Sequence, residues 1–300
     1  TWMVPTCVRK MRFQAQEVRR VHSIYVVDKD DHLIGRLSLK DLLVASAKDK
    51  VANIYIPKVD SVHFNDKGED VARLMQKYDL EAIPVVDDDM VLIGRITIDD
   101  IVDLIKEEAE KDYQMAAGIT EDIDADDRIL NKSKARLTWL ILFLVGGLAA
   151  ASIMGGFDDA LTQFPELFFF TPLIAAMAGN VGVQSSAIIV QGLANDNIRG
   201  SMVNRMLKEI GLSVINGIVL AGLIFVFGFF LDYDINISIT ISISLIMVII
   251  LASLIGTFVP LILDKNGIDP AVATGPFITT SNDIFGIFIF FYIAKVILGF

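Results

Sequence analysis

Cysteine is almost missing from this chain: Cys7 is the only one in 300 residues. An intrachain disulfide framework is excluded, which suits folding in a reducing compartment. Histidine is nearly as scarce. His22, His32 and His63 all precede the long apolar runs, so those runs hold neither a His-Glu-x-x-His metal motif nor a Ser/His pair. With no pair of intramembrane aspartates either, nothing points to an enzyme. Basic residues are outnumbered, 26 Lys and Arg against 37 Asp and Glu, and the net charge of −11 argues against nucleic acid. The N-terminus lacks the basic-then-apolar order of a secretory leader, so the first long apolar run is expected to direct its own insertion.

What is present falls into two unlike halves. Up to about Arg136 the chain is rich in charge; from Leu137 to Phe300 it is dominated by Ile, Leu, Phe, Val, Gly and Ala. Apolar runs of about 20 residues span a hydrocarbon core about 30 Å thick as helices. Five spans are expected, at residues 137–157, 164–193, 209–231, 235–263 and 271–300.

The charged half contains a repeat. Ile24-Tyr-Val-Val-Asp28 returns as Ile83-Pro-Val-Val-Asp87, and Leu33-Ile-Gly-Arg-Leu-Ser-Leu-Lys-Asp41 returns in register as Leu92-Ile-Gly-Arg-Ile-Thr-Ile-Asp-Asp100. Each copy reads as strand, Asp-rich turn, strand, then a Ser38 or Thr97 N-cap and a helix. Too little chain precedes Ile24 to supply the strand and helix expected ahead of Ile83, so the first copy reads as incomplete at its N-terminal side. The β-β-α unit in tandem resembles a pair of CBS domains. That resemblance implies an adenine nucleotide such as ATP in the cleft between copies, with Ser38, Asp41, Thr97 and Asp100 as ribose-side residues. The alternative is that these four only cap helices.

Past the repeat, Ile101, Val102, Leu104 and Ile105 give an amphipathic helix. Asp99, Asp103 and Glu107 are four apart on one face, where like charges repel mildly unless an ion intervenes. Glu110 and Asp112 extend the negative charge, and a second acidic cluster runs from Glu121 to Asp127. Mg²⁺ suits such a place because it keeps most of its waters and needs only one or two carboxylates. A solvated linker helix is the plain alternative.

Charge at the loops sets a topology. Arg128, Lys132, Lys134 and Arg136 flank the first span, Arg199, Arg205 and Lys208 separate the second from the third, and Lys265 follows the fourth. The remaining loops carry only Asp158, Asp159 and Glu166, and Asp232 and Asp234. By the positive-inside rule the N-terminus is cytoplasmic and the C-terminus outside. Inside the spans, Asp283 stands out: a mid-span carboxylate costs roughly 2.5–3.5 kcal/mol on insertion scales. Pro276 is expected to free carbonyls ahead of Thr279 and Thr280. Carboxylate, hydroxyls and carbonyls together make an all-oxygen lining suited to a hard hydrated cation. Ala178, Gly179 and Gly182 permit close helix approach. Asn180 and Gln184 point one way, toward a pore or a neighbouring helix. Glu209 is expected to cap the third span, and Lys295 to reach outward near the end of the fifth.

Together, a CBS pair, a connecting helix and five spans with Gly179-Asn180-Val-Gly-Val-Gln184 and Asp269-Pro-Ala…Gly275-Pro…Thr279-Thr-Ser-Asn-Asp283 resemble the MgtE family of magnesium channels and transporters. The resemblance implies α+β tandem CBS domains (1–104), an acidic connector (105–135) and an all-α polytopic membrane domain of five helices (136–300). It further implies a homodimer in the lipid of the cell (inner or plasma) membrane, moving Mg²⁺ under cytosolic Mg²⁺ control. Pore positions become Asp283, Thr279, Gly275, Asn180 and Gly179; sensor positions become Asp99, Asp103, Glu107 and Glu110. The family often has Asn where this chain has Val183, and a polar residue where it has Gly275. A Mn²⁺ or Co²⁺ carrier, or a membrane-anchored CBS nucleotide sensor, remains the alternative.

Overall fold

The computed structural model describes the chain apart from residues 1, 17–22, 120–122, 196–199 and 274, and the side chains of Leu161 and Ala273. His22, Glu121, Asp122, Arg199 and Thr274 therefore lie outside the described residues. The chain divides into two compact units, Thr1–Glu110 and Lys111–Phe300.

The first unit runs α1 (Val4–Gln14), β1 (Ile24–Val27), β2 (Leu33–Leu37), α2 (Leu39–Val44), α3 (Val51–Ile54), β3 (Ile56–Pro57), β4 (Val62–His63), α4 (Gly68–Lys77), β5 (Ala82–Val86) and β6 (Leu92–Thr97). Helix α5 (Ile98–Ala116) begins in this unit. The strands form two three-stranded sheets, β1-β2-β3 and β4-β5-β6. The repeat reappears as geometry. Asp28 Oδ1 accepts from the N–H groups of Asp30 and His32, and Asp87 Oδ1 from those of Asp89 and Val91. This Asx turn draws the backbone into the left-handed region at Asp31 and Met90, with φ of 62° and 64°. The two turns then bond each other, Leu33 N to Met90 O at 2.9 Å and Leu92 N to Asp31 O at 3.0 Å.

Each copy has its own core. Val62, Val71, Ala72, Met75, Ile83 and Ile101 form one; Val4, Cys7, Leu37, Leu42 and Val51 form the other. The second set corrects the sequence reading. The first copy does carry the helix expected ahead of its hairpin: α1 sits there, burying Val4 and Cys7. The length of chain ahead of Ile24 is sufficient after all, and Val4, Cys7, Val8 and Met11 have the i, i+3, i+4, i+7 spacing of an apolar helix face.

The second unit holds α6 (Ile129–Gly155), α7 (Asp158–Gln163), α8 (Glu166–Ala194), α9 (Met202–Phe230), α10 (Ile235–Lys265) and α11 (Pro276–Leu298). All but α7 are long and apolar enough to cross a membrane, giving the five spans expected. Helices α8, α10 and α11 supply most of the interior, around Leu167, Ile174, Ile241, Val248, Ile249, Phe290 and Phe291. α6 and α9 present broad apolar faces outward, among them Leu140, Leu144 and Leu148 on α6 and Ile215, Val219 and Leu223 on α9. In water this would be an aggregation surface; in lipid it costs nothing.

Two boundaries differ from expectation. α9 starts at Met202 with Ser201 as N-cap, so Glu209 lies two turns inside the helix and does not cap it. The last helix starts at Pro276, after a 3₁₀ turn at Pro270–Ala273. Pro276 therefore opens a helix, where its missing N–H is harmless, and kinks nothing.

Close packing in this unit depends on glycine. A Cβ on Gly256 of α10 would overlap the backbone carbonyl oxygen of Gly182 on α8, whereas one on Gly147 of α6 would meet nothing within 4 Å. Gly256→Ala should therefore force α8 and α10 apart and destabilise the protein by about 1–3 kcal/mol, as overpacking does. Gly147→Ala should be near neutral. Thermal unfolding of both variants in detergent checks this, and equal midpoints would refute the tight crossing.

Candidate functional site

Asp283 lies on the second turn of α11, half-buried, against α8. Its Oδ1 is 3.4 Å from where a Cβ on Gly179 would stand, and Thr279 Cγ2 is 3.1 Å from the same point. The pairing is a matter of spacing. Thr279 and Asp283 are four apart and so share a helix face, and only glycine at 179 lets α8 approach both. No hydrogen bond or ion pair to the Asp283 carboxylate is found among the described residues. A structural aspartate at this depth needs such partners, so its exposed side needs water or an ion.

Beside this pair, Asn180 and Gln184 are exposed on α8, with Asn180 Nδ2 donating to Ala176 O at 2.8 Å within its own helix. Asn180, Gln184, Thr279 and Asp283 thus leave a polar strip accessible on helices whose other outward faces are apolar. Gly275 caps α11, half-buried, and its carbonyl accepts from both the N–H and the hydroxyl of Thr279, at 3.1 and 3.0 Å. The free carbonyls expected beside Pro276 are therefore not found at Gly275. Thr280 points elsewhere: a Cβ on Gly146 of α6 would run into its methyl group, so it belongs to the α6 contact. Gly275 itself packs against Ala116 O, and Gly118 against Pro276, which brings the segment after α5 to the start of α11.

Sequence reasoning missed two polar features. Glu209 Oε1 accepts from Ser185 Oγ at 2.6 Å, and one turn on, Ser213 and Ser253 share a hydrogen bond of 2.5 Å, stitching α8, α9 and α10. The other is Asn282, wholly buried beside Asp283. The signal for it was present: it lies four residues after Ile278, on the face next to that of Thr279 and Asp283.

Among the sensor candidates, Asp99, Asp103, Glu107 and Glu110 are all exposed on α5. Lys106 lies 3.7 Å from Glu110, which gives that carboxylate a counter-ion of its own. The other acidic cluster is tied into its turn, Asp127 Oδ2 accepting from Asp124 N at 2.9 Å. A further trio, Asp28, Asp30 and His32, comes close enough to hold a metal. It is explained by the Asx turn: His32 Nδ1 is 3.0 Å from Asp28 Oδ2, a bond that lowers the Asp28 carboxyl and raises the His32 ring from their ordinary values.

The nucleotide candidates differ between copies. Ser38 Oγ accepts from Asp41 N at 3.1 Å, the expected cap. In the second copy the roles reverse: Asp100 Oδ2 accepts from the N–H of Thr97 at 3.0 Å and from its hydroxyl at 2.7 Å. This is the back-reaching half of a capping box.

Comparison with known proteins agrees with this layout. A family described as "MgtE: Divalent cation transporter" matches residues 171–293, and the CBS domain matches residues 2–48 and 51–107. The magnesium transporter MgtE of Bacillus subtilis is 35% identical over 294 residues, covering 98% of this chain and 65% of the relative. That of Thermus thermophilus is 32% identical over 302 residues, covering 98% and 66%. A solved cytosolic domain of the Mg²⁺ channel MgtE in complex with ATP is 42% identical, covering 34% of this chain and 42% of that one, with a TM-score of 0.33. The chain spans just under two thirds of the length of these two relatives. Its multi-pass membrane half and its paired CBS repeats together decide its place: the chain belongs to the MgtE family of divalent cation transporters.

Proposed function

We propose that this chain conducts Mg²⁺ across the cell membrane as a homodimer, with its N-terminus cytoplasmic and its C-terminus outside, and that cytosolic Mg²⁺ closes it. In this reading residues 1–104 are the sensor pair, 105–135 the connector and 136–300 the pore domain; it is a transporter and not an enzyme. The observation that carries the reading is the polar strip of Asn180, Gln184, Thr279 and Asp283 left accessible at membrane depth. Lipid cannot cover a half-exposed carboxylate and two carboxamides without a large penalty. A second copy of the same strip, facing the first across a water-filled path, can. Two Asp283 carboxylates would then flank the axis and hold a hydrated divalent ion electrostatically. Every donor in the strip is oxygen or amide, which disfavours softer metals; Mn²⁺ and Co²⁺ remain the rival cargo.

Magnitudes shape the gating part. Moving a gate from 1:99 to 99:1 takes about 5.5 kcal/mol of differential binding. An ion that binds only the closed state contributes about 2.7 kcal/mol when present at a hundredfold excess over its Kd, so about two such ions, shared between α5 and other carboxylates, would supply that difference. Asp99, Asp103 and Glu107 are the proposed α5 contribution; Glu110, already beside Lys106, is the weakest of the four. ATP or another adenine nucleotide is a second proposed ligand. Ser38 and Asp41 are the better ribose anchors, because Asp100 already holds the N–H and hydroxyl of Thr97.

Uptake of Mg²⁺ into proteoliposomes tests the pore. Asp283→Ala should abolish uptake while the purified protein keeps its oligomeric state and thermal midpoint. Uptake at the wild-type rate in that variant would end the pore reading. Gating is tested separately on the same vesicles by titrating Mg²⁺ on the cytosolic face. The variant Asp103→Asn/Glu107→Gln should need about tenfold more Mg²⁺ for half-closure, equivalent to ~1.4 kcal/mol. An unmoved inhibition curve would reduce α5 to a linker while leaving the pore in place.

A further inference from the structure

Asn282 is 1% exposed, and neither atom of its carboxamide has a hydrogen-bond partner among the described residues. An unpaired buried amide costs about 1–3 kcal/mol by protein mutational data, and a membrane interior offers no bulk water to relieve it. The side chain does not share the face of Asp283. It lies against Gly182, where any Cβ would overlap its Nδ2, with Ile278 Cγ2 2.8 Å from the same point.

Gly182 is where three helices meet, since Gly256 of α10 also crowds its carbonyl. Ser186, one turn along α8 from Gly182, and Thr257, next to Gly256, are each 0% exposed. Their hydroxyls also lack partners among the described residues. Three unpartnered polar side chains on three helices thus accompany a single glycine junction.

We propose that this junction is a hydration site. Ordered water taken up by Asn282, with Ser186 and Thr257, joins α8, α10 and α11 and fixes the rotation of α11 about its axis. The donor set selects water over a bare cation. Asn282 presents a donor and an acceptor together, and each hydroxyl can do either. A cation would satisfy Oδ1 and be repelled by the Nδ2 hydrogens, and no carboxylate joins the set. A buried water making about three hydrogen bonds meets all these needs. Rotation matters because α11 lays two adjacent strips on α8: Ile278 and Asn282 on Gly182, Thr279 and Asp283 on Gly179. Any turn of α11 that released Asn282 would carry Asp283 away from Gly179. Asn282 is therefore a positioning residue for the pore carboxylate; this consequence rests on the pore reading, but the water does not.

Radiolytic hydroxyl-radical footprinting of the full chain in nanodiscs reads buried water directly, because radicals form where the water sits. Ile278, 0% exposed and on the junction, should be oxidised faster than Ile174, also 0% exposed but in the apolar core. Asn282→Leu, which keeps the branched heavy-atom skeleton and removes both polar atoms, should reduce that labelling several-fold; Ser186→Ala should reduce it partially and serves if the bulk of leucine prevents the first variant from folding. Ile278 labelled no faster than Ile174, or unchanged in both variants, overturns the hydration site. On vesicles, Asn282→Leu should raise the Mg²⁺ concentration for half-maximal uptake, and Asn282→Ser, which can hold water, should restore it. Normal uptake in Asn282→Leu overturns the positioning role. Survival of uptake in Asp283→Ala would instead strike the pore reading, whatever the footprint.

Discussion

The membrane unit is organised by the cost of carrying polar atoms into hydrocarbon. Every such atom has to be paired inside its own helix, paired across helices, or kept in contact with water. All three solutions occur. Thr240, Ser242 and Asn180 bond back to carbonyls four residues earlier. Ser185–Glu209 and Ser213–Ser253 bond across helices. Asp283 and Gln184 take neither course and stay accessible. Position decides which solution a residue adopts, and the residues left accessible on α8 and α11 mark a face that lipid cannot cover cheaply.

That face exists because backbones approach closely. Gly179 admits Asp283 and Thr279; Gly182 admits Asn282 and Ile278; a Cβ on Gly286 would stand 3.0 Å from the Ala178 Cβ. Without a hydrophobic force between helices in lipid, such contacts supply the attraction through packing. They also fix the angular position of α11. A carboxylate swung by one residue around a helix moves by about 100°, from an accessible strip to a buried one, so the small residues at 179 and 182 fix where the charge stands.

Much of this was legible in the sequence because it follows from period and cost. The tandem hairpins were readable from two matching strings, the spans from apolar runs, and Asp283 from a charge where charge is expensive. What escaped detection depended on partners. Glu209 reads as a cap because it follows Arg205 and Lys208, and only the helix start at Met202 places it inside. Pro276 reads as freeing carbonyls inside a span until the 3₁₀ turn before it makes it a first residue. α1 escaped because the chain ahead of Ile24 reads as too short for it, although Val4, Cys7, Val8 and Met11 carry helical spacing. Asn282 was overshadowed by its neighbour, since sequence gives the spacing between two residues and not which of them meets a glycine.

The same geometry bears on ion preference. Val183 offers no oxygen ligand, and the Gly275 carbonyl is already engaged by Thr279. What remains near Asp283 is a carboxylate, a hydroxyl and carboxamides at the surface, too few to replace a full coordination shell. Such a lining suits an ion that keeps its water and is held through it. Mg²⁺ releases its waters more reluctantly than Ca²⁺ and is small enough to carry them in a compact octahedron. Selection would then act on the size and charge of the hydrated ion, through the spacing of two carboxylates across the axis. In the proposed dimer helix packing would set that spacing, so the glycines and the rotation of α11 would bear on selectivity as much as the ligands.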